Sequence, residues 1–384
     1  MLRHLIRSLT VTAAAAAIPA QTFVVDASSG PGTHFTSIAA AIPAVPDGAV
    51  LLVRSGSYLS FTIPGKSLRI LGEPGVIVHP PGASGTSITI SSLGPSQTVV
   101  LRDVAVGPGL VTGTTDVTIT NCQGPVLLER VRGGTTTLDH FTCRLNATNC
   151  DRLLIRDHHH VAGTFPFTLT NCHTVVESSY IGVFGAWLAD AGVTLNGGTL
   201  QLSDCRVQGG VDFLGLSIVD AVAMNGGDLR LLAGTEVVAG WAPGTTHAIA
   251  GTGTVRYDPS VTFSSPTFAP GVTATAQAMP RVTTSFNGAA AQVQLDGEPG
   301  QLGALALALP GPRVVVPGIY DAIWLDGTTF TPVSVGVFAA GAPITATLPW
   351  SSAAVPAVRA VWQGVVFDPI GGLQVSNPSF VILP

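Results

Sequence analysis

The densest set of side chains able to do chemistry is Asp157-His158-His159-His160. Residues two apart on a strand share a face. His158 and His160 would then stand side by side and could together hold a metal ion. No third ligand is evident beside them, and a polar turn is the competing reading. Acids recur along the chain as Asp139, Asp151, Asp157, Glu177 and Asp204. A calcium-dependent elimination would need several of these to converge, plus a base to abstract a proton. Lys66 is the only lysine, which leaves arginine as the only strong candidate for that base. The spacing itself calls for no cofactor.

Whether such residues meet depends on the elements that carry them. Six short stretches set aliphatic residues beside polar ones. Four match closely: Val100-Leu101-Arg102-Asp103, Leu127-Leu128-Glu129-Arg130, Leu154-Ile155-Arg156-Asp157 and Val175-Val176-Glu177-Ser178. Gln201-Leu202-Ser203-Asp204 and Arg230-Leu231-Leu232-Ala233 match loosely. Counted between last residues (103, 130, 157, 178, 204, 233), the steps are 27, 27, 21, 26 and 29. A second row runs between them, with Asn121-Cys122, Asn149-Cys150, Asn171-Cys172, Asn196-Gly197 and Asn225-Gly226. Two interleaved rows with one irregular period imply a solenoid. The repeats are too short for a crossover helix, so the unit is a coil of strands.

Composition agrees. The 384 residues are 46% hydrophobic and only 10% charged, with 45 Gly and 28 Pro spread along the chain, as many tight turns require. Residues 1–20 read as a secretory signal, with Arg3 and Arg7, an apolar stretch and Ala20 before Gln21. Its loss would take the formal charge from −5 to −7, which argues against nucleic acid or anionic membrane as partner. After it, no apolar run is long enough to cross a bilayer. The five cysteines are Cys122, Cys143, Cys150, Cys172 and Cys205. Coils about 4.8 Å apart would let Cys122–Cys150 or Cys150–Cys172 bridge. A column of buried thiols is preferred, because free cysteine behaves as a small hydrophobe. No C-x-x-C spacing occurs, which speaks against a structural zinc site.

The expected organisation is all-β. A right-handed parallel β-helix of about seven or eight coils occupies 21–257, opened by a short capping helix around Ile38 and Ile42. Residues 258–280 are a linker or final cap. Residues 281–384 form a small antiparallel, sandwich-like domain, because strands such as Ala291-Gln292-Val293-Gln294-Leu295 alternate between turns. Stacking would place Arg102, Glu129, Arg156 and Glu177 in one column of alternating charge. It would also form a buried amide ladder from Asn121, Asn149 and Asn171.

Phe35-Thr36-Ser37-Ile38-Ala39-Ala40-Ala41-Ile42, Pro46-Asp47-Gly48, Gly56-Ser57-Tyr58 and Leu68-Arg69-Ile70-Leu71-Gly72 resemble the opening of pectin lyase-like right-handed β-helix proteins. The resemblance implies that fold and a polysaccharide groove along one sheet, with lyase, hydrolase or esterase activity in some members. Gly210-Val211-Asp212-Phe213-Leu214-Gly215, preceded by Cys205, resembles the pectin methylesterase segment around its nucleophilic aspartate. On that resemblance Asp212 would attack an ester carbonyl and Asp190 would stand for the general acid/base. The pattern departs from the family: Ala189 precedes Asp190 one residue out of place, and the oxyanion glutamine and the following arginine are missing. Gly372-Leu373-Gln374-Val375-Ser376-Asn377-Pro378 resembles the C-terminal β module of many large secreted bacterial proteins.

Two functions follow as expectations. One is a secreted or surface protein that binds, and in a stronger form processes, an extracellular polysaccharide, with Glu177, Tyr180, Phe184 and Trp187 as its contacts. The other is a non-catalytic structural or adhesive surface protein. No feature fixes an oligomeric state.

Overall fold

The computed structural model describes residues 20–82, 85–107, 115–133, 143–162, 167–183, 191–210, 219–240, 247–264, 267–287, 289–317, 319, 322–349, 359–368 and 372–382. Its coils are set by their corners. Asp103, Arg130, Asp157, Ser178 and Asp204 all have left-handed backbone, with φ from 46° to 56°. Asn121, Asn149 and Asn171 do the same at a second corner, with φ of 54°, 54° and 51°. Asn and Asp enter this region most easily among residues with a side chain, which explains why they punctuate the repeat.

Between corners the strands pair in parallel, one coil on the next. Val99–Arg102 pairs with Val126–Glu129, then Leu153–Arg156, then the second half of Phe167–Glu177. The result is a parallel β-helix of about seven turns. A fifteen-stranded sheet carries two strand columns that merge at Phe167–Glu177, and a nine-stranded sheet carries the third. Inward residues stack by type. Leu101, Leu128, Ile155, Val176 and Leu202 form one fully buried column, and Ile90, Ile119, Ala147, Leu169 and Leu195 another. Each Leu, Ile or Val among them contributes about 1.5–3 kcal/mol through burial.

Both ends of the coil are covered. Helix Ile38–Ala44 buries Ile38, Ala41 and Ile42 over the first turn, and the Ser37 side chain accepts from the Ala40 amide at its start. Lys66, the one lysine, closes its other end by donating from Nζ to the carbonyls of Ile42 and Val45. Beyond Tyr257, Thr262–Phe263 and Val272–Ala276 still add parallel strands. Tyr257, Phe263 and Phe268 pack edge to face or tilted, with ring centroids 5.2–5.5 Å apart, and plug the last turn.

The charged column forms as the spacing predicts: Arg102 pairs in register with Glu129, Glu129 with Arg156, and Arg156 with Glu177. A second column runs beside it, where the Arg130 guanidinium grips both oxygens of Asp103 at 2.5 and 2.7 Å. The amide ladder also forms, with Asn149 Nδ2 3.1 Å from Asn121 Oδ1 and Asn171 Nδ2 3.5 Å from Asn149 Oδ1. It differs from expectation in two ways. Its members are exposed, because a left-handed corner turns them outward. Asn196 stands over Thr170 and not Asn171, and Gly197 (φ 72°) takes the corner instead, so Asn196–Asn225 is a separate rung.

The C-terminal region holds antiparallel sheets. Arg281–Phe286, Ala290–Asp296 and Ile344–Pro349 form one. Leu302–Ala308, Thr331–Val337, Arg359–Asp368, Gly372–Val375 and Ser379–Ile382 form another. Val282, Val293, Leu295, Leu305, Trp362 and Val366 pack between them. This unit lies on the β-helix face that carries the charged column. Val100, Leu127, Leu154 and Val175, which point away from the helix core, are sealed by Ala306, Trp324, Val361 and Phe380. Those strands are therefore buried on both faces, and near-continuous apolar runs such as Val126-Leu127-Leu128 are the sequence mark of that condition.

Leu127→Ala should thus cost about 2–4 kcal/mol although Leu127 faces outward from its coil. Urea unfolding of the two proteins measures it. A cost near zero would mean that the C-terminal unit does not cover this face.

Candidate functional site

A cleft of about 540 Å³ opens where the three-stranded antiparallel sheet stands over the β-helix. Its size lies within the range of ordinary ligand pockets. Strand alternation builds one wall. Val282, Thr284, Ala291, Val293 and Leu295 turn into the C-terminal core, so their neighbours must face the other way. Those neighbours form two cross-strand rows, Thr283–Gln294–Thr345 and Ser285–Gln292–Thr347. All six line the cleft, and Ser285, Gln292, Thr345 and Thr347 are exposed. A third rung, Arg281–Asp296, closes the sheet with an ion pair of 3.1 Å, and Arg281 also donates to the Ala233 carbonyl of the β-helix at 2.9 Å. Gln294 Nε2 donates to Asp296 Oδ1 at 2.7 Å, which fixes its amide.

The opposite wall comes from successive corners and strand ends of the β-helix: Ser178, Ser203 and Asp204. Arg156 and Glu177 complete the lining, beneath the seam between the two units. Arg156 donates from one guanidinium nitrogen to the Phe380 carbonyl at 2.6 Å and from another to the Thr284 carbonyl. Glu177 is 5% exposed. Its oxygens accept from Asn377 Nδ2 at 2.6 Å and Ser379 Oγ at 2.9 Å, and Thr284 donates in turn to Ser379. Burial pushes the Glu177 carboxyl up to about 7, with Arg156 and the two donors opposing that rise. Asn377 also bonds both ways with the Val282 main chain. Asn377, within the Gly372–Pro378 motif seen in the sequence, is thus part of what fastens the two units.

Glu177 and Tyr180 are close in sequence but lie on different sheets, since the left-handed corner at Ser178 separates them. Tyr180 stacks on His159 with centroids 5.2 Å apart and donates to Gln208 at 3.1 Å, on the nine-stranded sheet. Phe184, Trp187, Asp190 and Asp212 lie outside the described residues. So does Asp139. His158 is 1% exposed, packs near Phe167 and has its ring pushed down to about 4 by burial, which keeps it neutral. It sits in the corner before the strand His159–Ala162, whereas His160 is within that strand and pairs with Ile181. Among the described residues no cluster of three or more metal-ligating side chains occurs. Cys122, Cys150, Cys172 and Cys205 are buried free thiols, the first three in one column.

The cleft's polar rows were the part that residue-type reasoning passed over. Their signal was present as the strict alternation Ala291-Gln292-Val293-Gln294-Leu295. It gave a wall but not what the wall faces.

No protein-family model matches the chain, and no curated protein matches it. Among solved structures it is similar to a pectin methylesterase from Yersinia enterocolitica, at 10% identity and a TM-score of 0.35, over 63% of this chain and 94% of that one. The parallel coils rest on the strand register above and not on this likeness.

The raised Glu177 carboxyl makes docking pH-dependent. An acid whose folded value lies above its free value of 4.5 lends stability that is complete below 4.5 and lost as pH rises through about 7. The span corresponds to roughly 3 kcal/mol. Buried His158 acts in the opposite sense between about pH 4 and 6.5 in both proteins, so the difference is the readout: relative to Glu177→Gln, the urea midpoint of the unsubstituted protein should fall between pH 4.5 and 7.5. An identical slope in the variant would remove Glu177 as its source.

Proposed function

We propose that this chain is a secreted β-helix protein that binds an extracellular polysaccharide in the cleft between its two units. The observation that carries the reading is the pair of hydroxyl and amide rows, Thr283–Gln294–Thr345 and Ser285–Gln292–Thr347, facing Ser178, Ser203 and Asp204 across one open cleft. Hydroxyls and primary amides each donate and accept, as sugar hydroxyls do. Neighbouring strands are about 4.8 Å apart and same-face residues along a strand about 6.8 Å, so the wall offers a regular grid of such groups. The wall is backed by a packed core, so little ordering is needed on binding. The basic, then apolar, stretch of residues 1–20 supports export. Among the described residues no helix is long and apolar enough to cross a membrane.

Glu177 keeps a place in this reading as part of the cleft's lining, where it joins the two walls. Tyr180, on the other sheet, would serve a separate contact.

A glycan array probed with the purified chain tests the proposal. Binding should appear on at least one polysaccharide class and be lost in Thr345→Trp, whose indole would fill the cleft while the exposed position tolerates it. An array without signal, or one unchanged by that substitution, would sink the reading.

A further inference from the structure

We infer that the cleft selects neutral, hydroxyl-rich glycans and discriminates against polyuronates. The inference rests on the binding reading above and goes on to its chemistry. Recognition of a carboxylate polymer needs cations free to form charge-assisted bonds, with arginine the usual choice. Among the described residues lining this cleft Arg156 is the one cation, and it is committed. Two of its guanidinium nitrogens donate to the carbonyls of Phe380 and Thr284, and it stands in register beside Glu177. Arg281, at the end of the same sheet, is committed likewise to Asp296 and to the Ala233 carbonyl.

The remaining charges are negative. Asp204 lines the cleft at a left-handed corner, where Ser178 Oγ donates to it at 3.4 Å. Glu177 adds no positive charge, so the formal charge of the lining, Arg156 against Asp204, is not positive. A uronate entering here would lose its water, meet Asp204, and find only neutral donors in return. A neutral sugar loses far less on leaving water, and the two rows can replace those bonds one for one. A β-helix can carry a groove for either kind of polymer, so this discrimination comes from the side chains of the seam and not from the fold.

The test is affinity electrophoresis and calorimetry of the purified full chain. Glucomannan, mixed-linkage β-glucan and dextran serve as neutral probes, with homogalacturonan and alginate of matched length as anionic ones. At least one neutral polymer should bind at least about tenfold more tightly than either polyuronate, and the gap should narrow as salt screens Asp204. Gln292→Ala and Thr347→Ala, both at exposed positions, should weaken the neutral polymer by about fivefold to tenfold each with unchanged thermal midpoints. Asp204→Asn should raise affinity for the polyuronates. Binding of polyuronates alone would overturn the neutral preference while leaving the polysaccharide reading in place. Binding to neither class would overturn both. Neutral binding untouched by Gln292→Ala and Thr347→Ala would move the site away from the cleft and overturn the inference.

Discussion

Parallel coils cannot satisfy their own backbone. Strand amides and carbonyls of the inner coils find their partners one coil above or below, so the register between coils is the constraint on which all else depends. Register forces like positions into columns. It explains why leucine, isoleucine and valine recur inside, why cysteines stack, and why residues at corners must tolerate left-handed backbone. A column of alternating charge is one consequence: opposite signs in adjacent coils support the register and like signs would oppose it. A partly buried ion pair such as Arg102–Glu129, at 3.5 Å, adds little net stability, since both partners lose water.

The same columns prepare the docking of the C-terminal unit. Val100, Leu127, Leu154 and Val175 offer an outward apolar stripe, and beside them Arg156 and Glu177 present charge. Covering the stripe with Trp324 and Phe380 buries the charges too, and each then needs a partner. Asn377 and Ser379 meet Glu177, and main-chain carbonyls meet Arg156. Apolar area supplies the attraction, and polar groups fix an orientation in which Arg156 and Glu177 are both bonded. That orientation sets the cleft, because the three-stranded sheet is then held above Ser178 and Asp204.

Glu177 illustrates how one residue can be read correctly for position and still change meaning. The repeat places it at the end of a column. Beside Tyr180 in sequence, it looks like part of an aromatic and acidic binding surface. The corner at Ser178 sends Tyr180 to another sheet, and the C-terminal unit closes over Glu177. Its carboxyl then serves the joint between the units and, through that joint, the shape of the cleft.

The sequence by itself determined the coil. Its period, corner residues, capping helix around Ile38 and Ile42, charged column and thiol column are all local or periodic properties, and periodic properties survive in a string of letters. It also determined the alternation at Gln292 and Gln294 that makes one polar face. The tertiary structure alone decided what covers what. Contacts such as Arg156 to Phe380 and Glu177 to Asn377 join residues more than 190 positions apart, and no period links them. The Asn196 rung shows the finer limit: a one-residue slip between Asn-Cys and Asn-Gly is invisible in spelling but turns a side chain to another column, because strand faces alternate residue by residue.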